Sequence, residues 1–371
     1  MRMQMYEFWL HFLNNSIFYF VVLFLFDTIL SMKTIKVGIN GFGRIGRAFL
    51  KIAWDRPELE IVAVNDLSDV ANLAYLLKYD TVYKEWKHNI STKGQSIIID
   101  SKEVKVLAEK DPSKLPWKDL GVDVVVESTG LFTSYDKASV HLNAGAKKVV
   151  ITAPSKGEDG NVKGETILMG VNEDKFGTCD VTSNASCTTN AASPLIAILH
   201  ETLGIEKAIL NTVHGYTASQ VLVDGISKKD LREGRAAAEN IVPSSTGAAI
   251  AVTKAFPELE GLFDGLSIRV PVPAGSIVDV TFISKKSTTK EEVNNILKKA
   301  AKEKRWKGIF TTTEEPLVSS DILGSPYGSI ADLALTRVVG GNLVKVMGWY
   351  DNEMGYTYTL VDHVIKTGEK L

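Results

Sequence analysis

Cys187 lies within residues 183–190, SNASCTTN. An apolar-polar run that reads as the end of a strand precedes it. Residues 191–200 follow, with apolar side chains at helical spacing. This order places the sulfur at or near a helix N-terminus. Free backbone N–H groups and the positive end of the macrodipole there favour a thiolate over a thiol. A nucleophile uses such a setting, whereas an inert core cysteine does not need polar neighbours. An ordinary thiol, with a pKa near 8.5, is only a few per cent ionised at neutral pH. Complete ionisation is therefore worth about 30-fold at most, roughly 2 kcal/mol of barrier. A proton acceptor is the natural partner, and imidazole is the usual one.

Six histidines are available. His11 is in an atypical N-terminal tail, His88 and His141 fall in the first half, and His363 is on a terminal helix. His200 lies further along the helix that Cys187 starts, pointing away. His214 ends a predicted strand and is followed by Gly215, Tyr216 and Thr217, which makes it the best candidate. A satisfied polar histidine is the competing reading.

A second constellation could hold a dinucleotide. Residues 33–40 (KTIKVGIN) have the β-branched alternation of a strand. Gly41-x-Gly43-x-x-Gly46 follows, and residues 47–54 continue with helical periodicity. The first glycine permits the tight turn, the second lets the backbone approach a pyrophosphate, and the third allows close helix–strand packing. Phosphates would meet the free N–H groups of the new helix. Asp66 ends a second strand at residues 61–65, where a carboxylate accepts hydrogen bonds from an adenosine ribose. It would repel a 2′-phosphate, so NAD is expected rather than NADP. The weaker alternative is a plain glycine turn with an exposed aspartate.

Two kinds of element must position these groups. Residues 96–100 and 104–107 read as a ribbon, and 122–127 and 148–152 as strands flanking a helical stretch near 135–143. Strands alternating with helices predict an α/β, doubly wound, mostly parallel sheet in the first half. Beyond Cys187, longer strands are expected at 208–214, 267–272, 277–284 and 343–349. With few helices and a long irregular segment at 216–240, this half reads as an α+β domain with a largely antiparallel sheet. A helix over 352–366 closes the chain. The expected division is 1–32 as an extension outside the fold, 33–186 as the dinucleotide-binding domain, 187–351 as the catalytic domain, and 352–371 as a C-terminal helix returning to the first domain.

Composition excludes several classes. The 371 residues are 45% apolar and 23% charged, ordinary for a globular protein of two domains. A formal net charge of −2 gives no case for nucleic acid or anionic membrane as the main partner. Two cysteines make no disulfide framework and suit a reducing, cytoplasmic setting. Zinc-type cysteine and histidine spacing is absent, so no metal is expected. Residues 17–26 (IFYFVVLFLF) form an apolar run of ten, short for a membrane span. The first 32 residues read as an upstream artefact or extension before Met32, with a membrane-associating segment or a signal peptide as alternatives.

The motifs together resemble the phosphorylating glyceraldehyde-3-phosphate dehydrogenases. The likeness rests on SNASCTTN and on TVHGYT at 212–217, KVGINGFGRIGR at 36–47, SSTGAA at 244–249, RVPVP at 269–273 and WYDNEMGY at 349–356. It spans about Met32 to Leu371. The resemblance implies that Cys187 is the nucleophile and His214 its activator. It places Ser186, Thr188, Thr217, Thr246, Gly247 and Arg269 around the substrate phosphate and the attacking inorganic phosphate. Hydroxyls, backbone N–H groups and a guanidinium are the donors oxyanions need. For NAD it implies Arg44, Ile45, Asp66, Thr152 and Asn352 beside the three glycines, with Lys110 where arginine is common. It also implies a homotetramer, with residues 216–240 as an inter-subunit loop. Ile226 stands where the family often has proline. Glu233, between Arg232 and Arg235, sets a carboxylate near the expected phosphate sites. Erythrose-4-phosphate dehydrogenase shares the same cysteine and histidine logic. Aspartate-semialdehyde-type enzymes are typically NADP-linked, which Asp66 opposes. A scaffolding protein tethered through residues 1–32 has the intact cysteine, histidine and phosphate set against it.

Overall fold

A computed structural model describes residues 34–155, 160–227 and 230–371. The extension expected over 1–32 lies outside the described residues. The first strand, Ile35–Asn40, is buried except at Lys36 and occupies the centre of a sheet. Leu59–Asn65 pairs with it in parallel on one side and Val124–Glu127 on the other. The sheet continues through Lys148–Ile151, Val181–Ser183 and Gly164–Thr166 at one end, all parallel. At the other end Lys102–Leu107 is parallel to Leu59–Asn65. Ser96–Ile99 and Ile90–Thr92 then add an antiparallel edge. The sheet is therefore doubly wound and mostly parallel, as expected. Because the chain leaves the central strand in one direction and later returns on its other side, a crevice opens at the strand ends. Open α/β sheets bind ligands at such a switch point.

The glycine turn sits at that crevice. Gly41 has φ +94°, a left-handed conformation that disfavours a side chain. The helix Arg44–Ala53 follows, with no side-chain hydrogen bond at its N-cap Gly43. Its first N–H groups are thus open to a ligand.

The second sheet, largely antiparallel, orders Val242–Ser245, Phe263–Val270, Ile205–Gly215, Ser276–Ser284, Leu343–Tyr350, Ser329–Asp332 and Phe310–Thr313. Its parallel pairs among the described residues are Ile205–Gly215 with Phe263–Val270, and Phe310–Thr313 with Ser329–Asp332. One face carries the helices Cys187–Leu203 and Lys290–Ala300, whose Leu195, Leu199, Val293 and Leu297 join Val278, Val280 and Phe282 in a single core. The other face leaves Ile209, Leu266 and Leu343 exposed. Cys187–Leu203 is buried on nearly every side, since the C-terminal helix Met354–Gly368 lies against its start. That last helix sends Tyr356, Leu360, Val361 and Val364 into the core of the first sheet.

Gly46 shows how tightly the cofactor turn is packed. A Cβ there would stand 2.2 Å from the Gly41 carbonyl oxygen and 3.1 Å from Ser128 Oγ. Neither backbone can retreat without opening the turn. Gly46→Ala is expected to cost about 1–3 kcal/mol in urea unfolding and to weaken dinucleotide binding. Unchanged stability and binding would mean the turn is looser than these contacts require.

Candidate active site

The helix Cys187–Leu203 and the strand Ile205–Gly215 are joined at Gly204, whose φ of +72° reverses the chain. Running back along the helix, the strand returns its far end to the helix start. Cys187 Sγ and His214 Nε2 consequently lie 3.4 Å apart, although 27 residues separate them. Ser186 caps the helix, its Oγ accepting from the Thr189 N–H at 3.0 Å. The backbone before it is unusual: Ala185 is fully buried and has φ +55°. Its N–H donates to Ser183 Oγ at 3.0 Å, and its carbonyl accepts from the Tyr356 hydroxyl at 3.2 Å. Ser183 in turn donates to the Ala153 carbonyl at 2.6 Å.

His214 Nδ1 has two neighbours at 2.6 Å, the Gly215 carbonyl oxygen and Arg269 Nη1. One nitrogen cannot serve both at once. Carrying a hydrogen, it donates to the carbonyl; bare, it accepts from the guanidinium. Only the first tautomer leaves Nε2 free to take a proton from Sγ. The ring also meets Tyr350 edge-on, with centroids 5.8 Å apart.

The electrostatics differ from the expectation of a standing thiolate. Burial pushes the Cys187 thiol up, although the Arg269 charge, the Thr188 hydroxyl and the local N–H groups pull the other way. Burial, with Arg269 adding to it, holds the His214 imidazole down to about 3. Both shifts favour the neutral thiol and the neutral imidazole over the ion pair. The helix N-terminus is present as expected, but desolvation outweighs it here.

A cavity of about 730 Å³ opens from this pair along the switch-point crevice. Arg44, Ile45, Ser128, Thr152, Asn352 and Tyr356 line it together with Ser186, Cys187, His214 and Thr217. A Cβ on Gly43 would meet nothing within 4 Å, leaving room above the turn for a diphosphate. Asp66 stands at the end of its strand and accepts from the Phe42 N–H at 2.9 Å and the Ser68 N–H at 3.0 Å. Burial raises its pKa, but those N–H groups outweigh burial and hold it below the usual carboxylate range. The crevice, the uncapped helix and the ionised carboxylate fit an adenine dinucleotide.

Two sequence profiles match the chain: the glyceraldehyde 3-phosphate dehydrogenase NAD binding domain over residues 35–135, and the C-terminal domain of the same family over 186–352. A glyceraldehyde-3-phosphate dehydrogenase of Thermotoga maritima is 53% identical over 330 residues, covering 88% of this chain and 97% of the relative. One of Geobacillus stearothermophilus is 50% identical over 330 residues, covering 88% and 96%. One of Streptomyces coelicolor is 49% identical over 341 residues, covering 91% and 100%. The chain belongs to the glyceraldehyde-3-phosphate dehydrogenase family.

The residues expected of a glyceraldehyde-3-phosphate dehydrogenase are not all gathered alike. Arg44 lines the cavity, and its guanidinium is taken up by Asp80 and Glu353. Thr188 is buried, its hydroxyl sharing a 2.9 Å hydrogen bond with the Tyr350 hydroxyl. Thr246 and Gly247 cap the helix Ala248–Thr253, outside the residues that line the cavity, with Thr246 Oγ1 accepting from the Ala248 N–H at 3.2 Å. Lys110 is exposed and outside the residues that line the cavity, next to Glu109, whose carbonyl accepts from Asn65 Nδ2 at 2.9 Å. Glu233 accepts from Ser244 Oγ at 2.7 Å, while Arg232 and Arg235 are engaged by Asp230 and Asp224. Among the described residues, no group of three or more histidine, cysteine or acidic side chains could hold a metal.

Sequence reasoning missed Tyr350, whose buried hydroxyl also shares a 2.8 Å hydrogen bond with Thr212. The signal was available: Val344, Val346, Gly348 and Tyr350 alternate inward along one strand. It also missed Glu127, which ends its strand fully buried and accepts from Asn40 Nδ2 at 2.6 Å and the Thr129 N–H at 2.9 Å. His363 was placed on the terminal helix but given no part. Its Nε2 lies 2.8 Å from Thr182 Oγ1 and its Nδ1 3.2 Å from Asn184 Oδ1, so it ties that helix to the segment before Cys187.

Burial, partly opposed by the Ile167 backbone, holds the His363 imidazole down to about 3. An unfolded histidine takes up its proton below about pH 6.5. As pH falls from about 6.5 toward 3, the unfolded chain binds protons that the folded chain refuses, so stability declines. Each of His214 and His363 contributes a slope of about 1.4 kcal/mol per pH unit in that window. Urea unfolding between pH 7 and 5 should show a shallower pH dependence in His363→Gln than in the wild type. Equal slopes would remove His363 from this account.

Proposed function

We propose that the chain is an NAD-dependent glyceraldehyde-3-phosphate dehydrogenase of glycolysis and gluconeogenesis, converting D-glyceraldehyde 3-phosphate and inorganic phosphate to 1,3-bisphosphoglycerate. The 3.4 Å approach of Cys187 Sγ to His214 Nε2, at the floor of a dinucleotide-sized cavity, carries this reading. Cys187 attacks the aldehyde carbon as His214 Nε2 takes the thiol proton, giving a hemithioacetal on Sγ. Burial opposes the thiolate and the imidazolium alike, so the proton moves during attack rather than before it. The Cys187 N–H at the helix start and the His214 ring stabilise the oxyanion. The imidazolium returns its proton to that oxygen, completing the hemithioacetal, and the neutral His214 ring then draws the hydroxyl proton back. Bound NAD supplies the hydride acceptor that leaves a thioester on Cys187. Phosphate attacks that thioester, and Sγ departs as the acyl phosphate forms. Beneath Sγ, the Thr188 and Tyr350 hydroxyls are spent on each other at 2.9 Å.

In this reading Ser186, Thr188, Thr217, Thr246, Gly247 and Arg269 serve the two phosphates, Thr188 through its backbone. Gly41, Gly43, Arg44, Ile45, Gly46, Asp66, Lys110, Thr152 and Asn352 serve NAD. The two sheets and the returning helix support the division at residues 33–186, 187–351 and 352–371. The free Cys179 and Cys187 suit the cytoplasm. No helix among the described residues is long and apolar enough to cross a membrane. The uncovered sheet face with Ile209, Leu266 and Leu343 supports self-association, and the family reading makes the assembly a homotetramer.

Purified protein should reduce NAD with glyceraldehyde 3-phosphate only when phosphate is present, and more slowly with erythrose 4-phosphate. Cys187→Ser should lose at least about 10³-fold in turnover while still binding NAD, and His214→Asn about 10²–10⁴-fold. A Cys187→Ser protein with normal turnover contradicts the scheme. Light scattering during gel filtration should give about four times the 40.6 kDa chain mass. A monomer would refute the assembly.

A further inference from the structure

Arg44 holds an unexpected position for a residue of the cofactor turn. It is the first residue of its helix, so its N–H belongs to the uncapped end that faces the cavity. Its guanidinium is gripped from two sides, by Asp80 and by Glu353 of the cavity wall. Nη1 donates to Asp80 Oδ2 at 2.9 Å. Nη2 donates to Glu353 Oε2 at 2.5 Å, and Nε to the other oxygen of the same carboxylate. This is a two-pronged pair, which fixes orientation as well as distance. Burial lowers the Arg44 pKa, but Glu353 and Asp80 outweigh it and raise it. A permanent cation therefore spans 309 residues of sequence.

Glu353 directly follows Asn352, and Asp351 precedes it. Tyr83, beside Asp80, donates its hydroxyl to Asp351 at 2.8 Å. Asp80 also fixes the loop by accepting from the Val82 and Tyr83 N–H groups at 2.8 and 3.0 Å. Both neighbours of Asn352 are thereby tied to the first sheet's side of the crevice. Asn352 itself is tied to the second, its Oδ1 accepting from the Gly275 N–H at 2.9 Å and Ser276 Oγ at 3.2 Å. That leaves the amide Nδ2, among the described residues, without a hydrogen-bond partner at the cavity wall.

We propose that the Arg44 guanidinium is a positioning residue for the nicotinamide end of the cofactor: clasped to Glu353, it sets the Asn352 amide at a fixed span from the turn that receives the diphosphate. One residue thus serves both ends, the backbone at the diphosphate and the side chain through Glu353 at the nicotinamide. This rests on the reading of Asn352 as an NAD residue at the nicotinamide end: Ser276, which holds its Oδ1, pairs with His214, and the hydride acceptor must lie beside the Cys187–His214 pair.

The test compares NAD with ADP-ribose, which keeps the adenosine and diphosphate but lacks nicotinamide. Calorimetric titration of Arg44→Met should show NAD affinity lowered about tenfold, with ADP-ribose affinity within about twofold of the wild type. Arg44→Lys, which keeps charge but not the fork, should fall between the two. Glu353→Gln, the milder variant, should reproduce the selective loss and carry the test if Arg44→Met does not fold. Adding it to Arg44→Met should cost little more. Equal losses for both ligands would make Arg44 a general support of the turn, and no loss for either would make the clasp idle; each result overturns the proposal. Asn352→Ala separates the premise: if NAD and ADP-ribose still bind as in the wild type, it is the nicotinamide contact that fails.

Discussion

The site depends on one return of the chain. A buried helix begins at Cys187, and the strand that follows it ends at His214, so sulfur and imidazole meet because an α-element and a β-element run antiparallel to each other. Gly204 makes the reversal, and Ser186 fixes where the helix starts. Lengthening either element would shift one partner by 1.5 to 3.4 Å per residue, enough to break the contact. The two sheets exist around this hairpin: the second flanks the strand, and the first offers its switch-point crevice to whatever the thiol attacks.

Desolvation is what makes that contact useful. Burial favours the neutral thiol and imidazole, and in the proposed chemistry it strengthens every charge that appears during attack. Arg269 acts on the two partners with opposite sign, favouring the anion and resisting the cation. A thiolate–imidazolium pair at rest would gain from Arg269 on the sulfur and lose on the ring, with burial opposing both charges. Proton transfer and carbon–sulfur bond formation are thereby linked.

Much of this was legible in the sequence where the signal is local. The glycine turn, Asp66 at its strand end and Cys187 at its helix start each follow from neighbours a few residues away. The doubly wound first sheet followed from alternation, and the second sheet from its longer strands. What lay beyond reach is set by packing between distant segments. Arg44 reads as a cofactor residue, but its side-chain partner Glu353 lies far along the chain. The Thr188 hydroxyl reads as a phosphate donor, yet Tyr350 from another strand claims it. The neutral state of the thiol pair was equally hidden, because spacing carries no measure of desolvation.

Ala185 shows a choice made in the opposite sense from the glycine turn. Its left-handed backbone costs an L-residue about 1 kcal/mol, which glycine would avoid. Glycine would also let the segment just ahead of Cys187 sample many other conformations. The methyl group surrenders a little of the fold's stability and in exchange narrows those options, with Ser183 and Tyr356 clamping what remains. The sulfur is thus aimed by torsional confinement in the peptide ahead of it, independently of any group that touches the sulfur itself.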